Sequence, residues 1–269
     1  MGSIGMPKAD DRPILGLIAS EMNIHRAPGD IGNRRTFDFP VIQTEIKGAL
    51  LASMVTDEEH DDEMVDAFVE AGNRLIDQGA VGLVTSCGFW AISQKKISQR
   101  LSVPVATSSL LQVPLIRTII RPDQGIGILT FDKERLNFNH LRAVGLHDTS
   151  NIYISGPPTE GKMKHTLRDG IPYDLAALTA EVVETAKQLI KEQPHIGAIL
   201  LECTQFPPFA NAVQNATGLP VWDVTTLAKW FYAGLVSRPQ PVMTKEEVLD
   251  AAAVRPRSQR ELMEKPIRQ

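Results

Sequence analysis

The chain has 269 residues, of which 43% are hydrophobic and 22% charged, and its formal net charge is −4 at pH 7. This length and composition are typical of one large or two modest globular domains. The small acidic charge excludes a basic surface for nucleic acid, and no apolar run is long enough to cross a membrane. Neither end carries a targeting or lipidation motif, so we expect a cytoplasmic protein.

Short apolar runs alternate with helix-length stretches along the chain. Helices are predicted at 61–78 and 175–192, where apolar residues recur at helical spacing. Strands are predicted at 14–19, 81–85, 103–107, 125–130, 151–155, 198–201 and 220–223. Their apolar residues are continuous, which is typical of strands covered on both faces. The pattern predicts an α/β fold in which parallel sheets are flanked by helices.

Two later segments have their own signals. Thr244 and Glu247 form a capping box that predicts a last helix, ended by Arg255-Pro256 and followed by a charged tail. The stretch 157–172 is rich in proline and glycine and is predicted to be a loop, either a lid over a site or a surface excursion.

The two cysteines of the chain, Cys87 and Cys203, occur in matching surroundings. Each follows an apolar strand, and a proline (Pro104 or Pro220) comes the same number of residues later in both copies. This duplication predicts two pseudo-symmetric lobes, 1–108 plus 222–269 and 109–221. Because ligands bind at the carboxyl ends of parallel strands, the thiols are expected on opposite walls of an inter-lobe cleft that forms the active site.

A thiol at such a strand-to-helix turn has a chemical use. Unpaired backbone N–H groups and the helix dipole favour a thiolate and a bound carboxylate, so we expect lowered thiol pKa values. Thr85, Ser86 and Thr204 supply hydroxyl donors there, and Gly88 leaves its N–H open to a ligand. Two opposed thiols suit removal of a proton from a carbon next to a carboxylate and its return to the other face, without a metal or organic cofactor.

The cysteine motifs carry a family resemblance. Thr85-Ser86-Cys87 and Glu202-Cys203-Thr204 resemble the paired motifs of the aspartate/glutamate racemase superfamily, and 28–33 with 39–41 resembles the amino-terminal part of a less-characterised branch. The superfamily includes amino-acid and hydantoin racemases, maleate isomerases and arylmalonate decarboxylases. The resemblance implies cofactor-independent acid–base catalysis by Cys87 and Cys203, and a pocket also lined by Ser20 and Thr130.

The chain departs from the racemase motifs beside both cysteines. Gly88 stands where the amino-acid racemases have Asn, and Gln205 stands where they often have His. These differences indicate a substrate other than aspartate or glutamate. Phe89, Trp90 and Phe206 are interpreted either as an apolar wall for a larger acid or as packing under the turns.

Two further polar residues, Glu202 and His60, are interpreted from their positions in the sequence. Glu202 could tune the adjacent thiol, but strand alternation favours a side chain that points away from it. His60 lies in an acidic run and is predicted to sit at a solvated helix start. No histidine spacing indicates a metal site, and in a cytoplasmic protein the cysteines are expected to be reduced.

The sequence thus favours a racemase or epimerase that uses two thiols on the α-carbon of a small carboxylic acid, an amino acid or a related carbonyl compound. One alternative is a cis–trans isomerase or a decarboxylase with one catalytic cysteine. Another is a non-catalytic protein that binds small carboxylates. The only partner predicted is a small-molecule carboxylate; no nucleic acid or membrane partner is expected, and a homo-oligomer is left open.

Overall fold

The computed structural model describes residues 12–22, 24–237 and 242–253, in which eight strands form two four-stranded sheets. All the ladders are parallel, and the strand orders are β2-β1-β3-β4 and β6-β5-β7-β8. The strands are β1 Ile14–Ser20, β2 Val41–Ile46, β3 Ala80–Thr85, β4 Val105–Ala106, β5 Gly125–Leu129, β6 Ile152–Ser155, β7 Ile196–Leu201 and β8 Val221–Trp222. The two sheets therefore have the same topology, and the predicted parallel α/β fold with a duplicated unit is confirmed.

Helices connect the strands in both sheets, as parallel pairing requires. They are α1 Leu51–Met54, α2 Asp62–Asp77, α3 Gln94–Ser98, α4 Val113–Ile119, α5 Phe138–Ala143, α6 Lys162–Arg168, α7 Leu175–Glu192, α8 Ala210–Thr217, α9 Val224–Leu235 and α10 Lys245–Ala253. Three short 3-10 helices lie at Gly88–Ser93, Ser109–Gln112 and Pro207–Phe209.

Most of the predicted elements are present, and two predictions were incomplete or wrong. Strand β2 was missed because it lies at the edge of its sheet and mixes polar with apolar residues, leaving most of its side chains partly or fully exposed. The prediction of a loop over 157–172 is wrong in its middle, where α6 forms. Pro158 and Gly161 precede this short helix and Gly170 follows it, so its flanks hide it in the sequence.

Local chemistry explains the two long helices. The Asp61 carboxylate accepts a hydrogen bond from the Met64 backbone N–H at 2.8 Å and caps α2, and Asp174 caps α7 in the same way through Ala177. The buried side of α2 then packs on the first sheet, where Gly16 faces Leu75 and Leu83. The buried side of α7 packs on the second sheet, where Gly127 faces Leu189.

Helix α9 packs against the first sheet, although it follows the last strand of the second. A Cβ atom at Gly82 would lie 2.4 Å from Leu235, so glycine permits this close approach. Residues of β1, β3 and α9 form a compact core there, with Leu15, Leu17 and Leu227 almost fully buried. The lobe boundaries 1–108 plus 222–269 and 109–221 stay predictions.

The chain divides into two compact units, Met1–Val236 and Ser237–Gln269. In the second unit the predicted capping box is confirmed: the Glu247 carboxylate accepts from the Thr244 N–H at 2.7 Å at the start of α10. Arg255-Pro256 and the charged tail lie outside the described residues. Among the helices that the structure describes, none is long and apolar enough to span a membrane.

Candidate active site

Corresponding strands of the two sheets carry the two cysteines. Cys87 follows β3 and Cys203 follows β7, and each of these is the third strand of its sheet in chain order. A 3-10 helix begins directly after Cys87, and Pro207–Phe209 forms one shortly after Cys203. Both thiols are free and buried, with 9% and 8% of their surface exposed. The repeated sequence motif is therefore a repeated structural position.

The two cysteine turns are in direct contact. The Thr204 hydroxyl donates to the Ser86 carbonyl at 2.5 Å, and the Ser109 hydroxyl donates to the Leu201 carbonyl at 3.0 Å. These buried hydrogen bonds join the carboxyl end of the first sheet to that of the second. The thiols are consequently held on the walls of one shared cavity.

This thiol cavity is small, with a volume of about 30 Å³. That volume holds about two water molecules. Fourteen residues line it: Met22, Leu51, Met54, Val55, Ser86, Cys87, Gly88, Phe89, Phe131, Leu167, Glu202, Cys203, Thr204 and Gln205. Two thiols, one carboxyl group and two hydroxyl-bearing turns thus meet in a mostly apolar enclosure.

The predicted substrate-binding residues separate into two groups. Ser86, Gly88 and Thr204 line the thiol cavity. The others are buried behind it and are hydrogen bonded within the protein. The Ser20 N–H donates to the Ser86 hydroxyl at 2.9 Å, and the Thr85 hydroxyl lies 2.8 Å from the Cys87 carbonyl. In this structure these side chains hold the turns in place, and their contact with a substrate stays a prediction.

Glu202 is the main residue that the sequence interpretation misplaced. Its side chain points into the thiol cavity and is completely buried. Strand alternation fails here because β7 ends at Leu201, and the Glu202 N–H donates to the Leu129 carbonyl at 2.7 Å. One carboxylate oxygen, Oε2, accepts from the Thr130 hydroxyl at 2.6 Å. The other, Oε1, has no hydrogen-bond partner among the described residues.

The signal for this placement was Gly88. A Cβ atom at position 88 would lie 2.0 Å from Glu202 Oε1 and 2.7 Å from the Glu202 carbonyl oxygen. Only glycine fits beside Cys87 while the carboxyl group occupies this space. Gly88, which differs from the racemase motif, and Glu202, which precedes Cys203, therefore contact each other.

Burial dominates the acid–base properties of the cavity. It raises the pKa of the Glu202 carboxyl to about 7, although the Thr130 hydroxyl acts in the opposite direction. It raises the pKa of Cys87 to about 12 and that of Cys203 well above its usual value, and the nearby Glu202 carboxylate adds to both shifts. The expectation of lowered thiol pKa values is therefore wrong for this closed cavity, because desolvation outweighs the N–H groups.

Those N–H groups are nevertheless aimed as expected. The backbone N–H of Phe89 lowers the pKa of Cys87, and that of Gln205 lowers the pKa of Cys203, each from two residues along the chain. The two turns thus favour a thiolate in the same way. We expect a thiolate to form more readily once water enters the cavity or the negative charge on Glu202 is removed.

A larger outer cavity of about 580 Å³ adjoins the thiol cavity. Met22, Leu51, Val55, Phe131 and Leu167 line both spaces and form the apolar partition between them. Leu51 lies in α1, and Leu167 lies in α6 within the stretch that the sequence marked as a loop. Both helices therefore border the entrance to the thiols.

Cations gather beside this partition. Lys164 is buried, and its Nζ lies 3.4 Å from Asp132 Oδ2 and 4.2 Å from the centre of the Phe131 ring. Arg168 Nη2 lies 3.0 Å from the same Asp132 oxygen. Burial lowers the pKa of Lys164, while Asp132 and the Cys203 thiol act in the opposite direction. Two cations thus share one carboxylate beside the apolar partition.

The aromatic residues beside the cysteines are divided between wall and core. Phe89 lines the thiol cavity. Trp90 is buried against His60, with ring centroids 4.1 Å apart, and Phe206 is fully buried. The prediction of a solvated His60 is wrong: its Nδ1 lies 2.9 Å from the Ser93 hydroxyl, and burial lowers its pKa to about 4.

No group of three or more His, Cys, Asp or Glu side chains is placed to hold a metal ion in the described part of the chain. The arrangement offers acid–base chemistry by thiols and a carboxyl group. It contains a candidate base on each of two sides and backbone N–H groups that favour negative charge. Such a site suits proton transfer at a carbon next to a carboxylate.

Solved structures with the same fold define the class. Unliganded arylmalonate decarboxylase matches with a TM-score of 0.54 at 15% identity, over 85% of this chain and 94% of that one. Glutamate racemase isoform RacE1 from Bacillus anthracis matches with 0.51 at 14% identity, over 82% of each chain. Picrophilus torridus aspartate racemase also matches with 0.51, at 17% identity over 88% of this chain and 98% of that one. The chain thus shares its fold with arylmalonate decarboxylase and with the glutamate and aspartate racemases.

Sequence relatives define the family within this class. The chain is 33% identical over 230 residues to the dimethylsulfoniopropionate lyase of Durusdinium sp. clade D, which covers 84% of this chain and 76% of the relative. It is 28% identical to dimethylsulfoniopropionate lyase 3 of Emiliania huxleyi strain CCMP1516, over 86% of this chain and 62% of the relative. The chain belongs to the dimethylsulfoniopropionate lyase family, a family of enzymes. No family model matches the chain.

Proposed function

We propose that the chain is a lyase that cleaves dimethylsulfoniopropionate, or a close β-sulfonio acid, by elimination. The carbon next to the carboxylate carries the proton to be removed, and the next carbon carries the sulfonium group. A thiolate takes the α-proton, the C–H electron pair forms a carbon–carbon double bond, and the C–S bond breaks with its pair on sulfur. The products are neutral dimethyl sulfide, acrylate and a protonated thiol.

The observation that carries the proposal is the shared cavity of Cys87 and Cys203, in a chain from this family. The first step is the one expected for a racemase, namely α-proton abstraction beside a carboxylate. The outcome differs because a good leaving group departs before a proton returns. A neutral sulfide leaves without needing an acid, so elimination requires one base, whereas racemisation requires a group on each face.

We assign the base to Cys87. Burial raises the pKa of both thiols and Glu202 adds to both shifts, but Arg26 opposes the shift of Cys87, whereas Asp30 adds to that of Cys203. Cys87 therefore carries a negative charge at lower cost. The excess positive charge of Lys164 and Arg168 beside Asp132 favours a substrate carboxylate.

The thiol cavity is smaller than this substrate, so the apolar partition has to move when substrate enters. Leu51 of α1 and Leu167 of α6 belong to this partition. Their displacement joins the thiol cavity to the outer cavity. It also admits water to the thiols, and hydration favours the thiolate.

The test is release of dimethyl sulfide from dimethylsulfoniopropionate by the purified chain, measured by headspace gas chromatography, with acrylate measured by NMR in equal amount. Cys87→Ser is expected to abolish release, and Cys203→Ser to reduce it less. Absence of release by the wild type under all conditions overturns the proposal.

A racemase remains the second candidate because both lobes retain a thiol in one cavity. Incubation of chiral carboxylic acids, amino acids and hydantoins in D₂O distinguishes the two. Deuterium at the α-carbon with loss of optical activity, abolished equally by both serine variants, favours the racemase.

A further inference from the structure

The Glu202 carboxyl group is an unusual third acid in the thiol cavity. It is completely buried and lies among the lining residues with Cys87 and Cys203. Oε2 is held by the Thr130 hydroxyl at 2.6 Å, which fixes the orientation of the group. Oε1 has no partner in the described part of the chain. Because a buried polar atom without a partner is destabilising, a ligand that supplies the partner gains affinity.

Gly88 shows that this carboxyl group is built into the cysteine turn. The space that a Cβ atom at position 88 would use is taken by Oε1, 2.0 Å from that point. The amino-acid racemases, whose cysteine motifs this chain resembles, have a polar asparagine side chain at this position, next to the first cysteine. In this chain Glu202 Oε1 is the polar atom at that place, and Gly88 leaves room for it.

The charges around Glu202 favour its neutral form in a complex with an acid. The groups of the cavity that titrate are Cys87 and Cys203, and a negative charge on Glu202 disfavours a thiolate at either. Arg26, Asp30 and Lys164 act on the thiols from outside the lining. A substrate carboxylate brings a further negative charge. One proton on Glu202 therefore permits both the bound carboxylate and the thiolate.

We propose that Glu202 is a catalytic residue that stays protonated in the substrate complex and donates a hydrogen bond from Oε1 to a carboxylate oxygen of the substrate. This inference rests on the proposed lyase function and extends it. When the thiolate removes the α-proton, negative charge develops on that carboxylate as an enediolate. A fixed, neutral carboxyl donor stabilises such charge.

The first experiment is the pH profile of kcat/KM for dimethyl sulfide release. In the wild type kcat/KM is expected to rise about tenfold per pH unit below the Glu202 pKa of about 7 and to level off above it, because loss of the donor then offsets the growing thiolate fraction of Cys87, whose pKa is about 12. Glu202→Gln retains a neutral donor, so its kcat/KM is expected to keep rising above pH 7. Glu202→Ala removes the donor and is expected to lose roughly 100-fold or more at pH 6.

Two variants sharpen this result. Thr130→Val removes the hydrogen bond that lowers the Glu202 pKa, so the levelling-off of kcat/KM is expected to move to higher pH. Glu184→Gln, an exposed change on α7, is the matched control and is expected to behave as wild type. A levelling-off near pH 7 that persists unchanged in Glu202→Gln overturns the proposal.

A binding measurement separates this inference from the lyase proposal. Calorimetry with acrylate at pH 8, in buffers of different ionisation enthalpy, measures protons taken up on binding. Uptake of close to one proton by the wild type and none by Glu202→Gln supports the protonated donor even if no dimethyl sulfide is released. Acrylate that binds without proton uptake, or with equal uptake by both proteins, overturns it.

Discussion

The two cysteine turns are alike in backbone and unlike in their neighbours. Both follow the third strand of a four-stranded parallel sheet, and both place a backbone N–H two residues along the chain on the thiol. Beside Cys87 stands Gly88, which supplies space, and beside Cys203 stands Glu202, which fills it. Duplication thus explains why there are two thiols, and because the two copies differ beside them, we expect their chemistry to be asymmetric.

The largest expected effect comes from replacing each thiol in turn, which tests whether the two cysteines contribute unequally to catalysis. If Cys87 is the base for elimination, Cys87→Ser loses at least roughly 1,000-fold in kcat, because a serine hydroxyl is a much weaker acid than a thiol. Cys203→Ser is expected to lose far less. Kinetics of dimethyl sulfide release measure both effects. An equal, complete loss in both variants contradicts the asymmetry and favours a two-base reaction.

The next test fills the space that Gly88 leaves open beside Cys87. Gly88→Ala places a Cβ atom 2.0 Å from Glu202 Oε1 and 2.7 Å from its carbonyl oxygen, so the carboxyl group and the turn both have to shift. We expect about 1–3 kcal/mol of lost stability and roughly 100-fold lower kcat. Denaturant unfolding and kinetics measure these losses.

The double variant Gly88→Ala/Glu202→Ala gives the coupling between the two positions. Partial recovery of stability is expected, since the clash with the carboxyl group disappears while that with the carbonyl oxygen remains. Strictly additive losses would show that the two residues do not share one space.

A smaller effect is expected on how the free energy of unfolding depends on pH. Burial raises the Glu202 pKa from 4.5 to about 7, so the folded protein holds this proton more tightly than the unfolded chain. The stabilising contribution is complete below pH 4.5 and is lost as the pH rises through about 7. Removing the titration with Glu202→Gln is expected to reduce this loss by an amount on the order of 3 kcal/mol. Urea unfolding at pH 5 and pH 8 measures it, and an equal pH dependence in both proteins contradicts the shift.

The smallest expected effect is on substrate binding at the partition. Lys164→Met removes a buried cation but leaves Arg168 paired with Asp132. KM for dimethylsulfoniopropionate is expected to rise roughly tenfold with little change in kcat, as expected for loss of one charge-assisted contact. A change confined to kcat would instead place Lys164 in the chemical step.

The parallel fold and the paired thiols were predictable, because continuous apolar runs and two matching cysteine motifs are visible in the sequence. The role of Glu202 was not, since the end of a strand cancels the alternation that strand residues follow. Its contact with Gly88 also joins positions far apart in the chain. Helix α6 could not be predicted because glycine and proline flank it. The burial of His60 could not be predicted because acidic residues surround it in the sequence.

Release of dimethyl sulfide and acrylate from dimethylsulfoniopropionate by the purified chain tests the central claim most directly. Equal amounts of both products are expected from the wild type, with no release by Cys87→Ser. A wild type that leaves this substrate intact, while it racemises a chiral carboxylic acid or merely binds one, would contradict the claim.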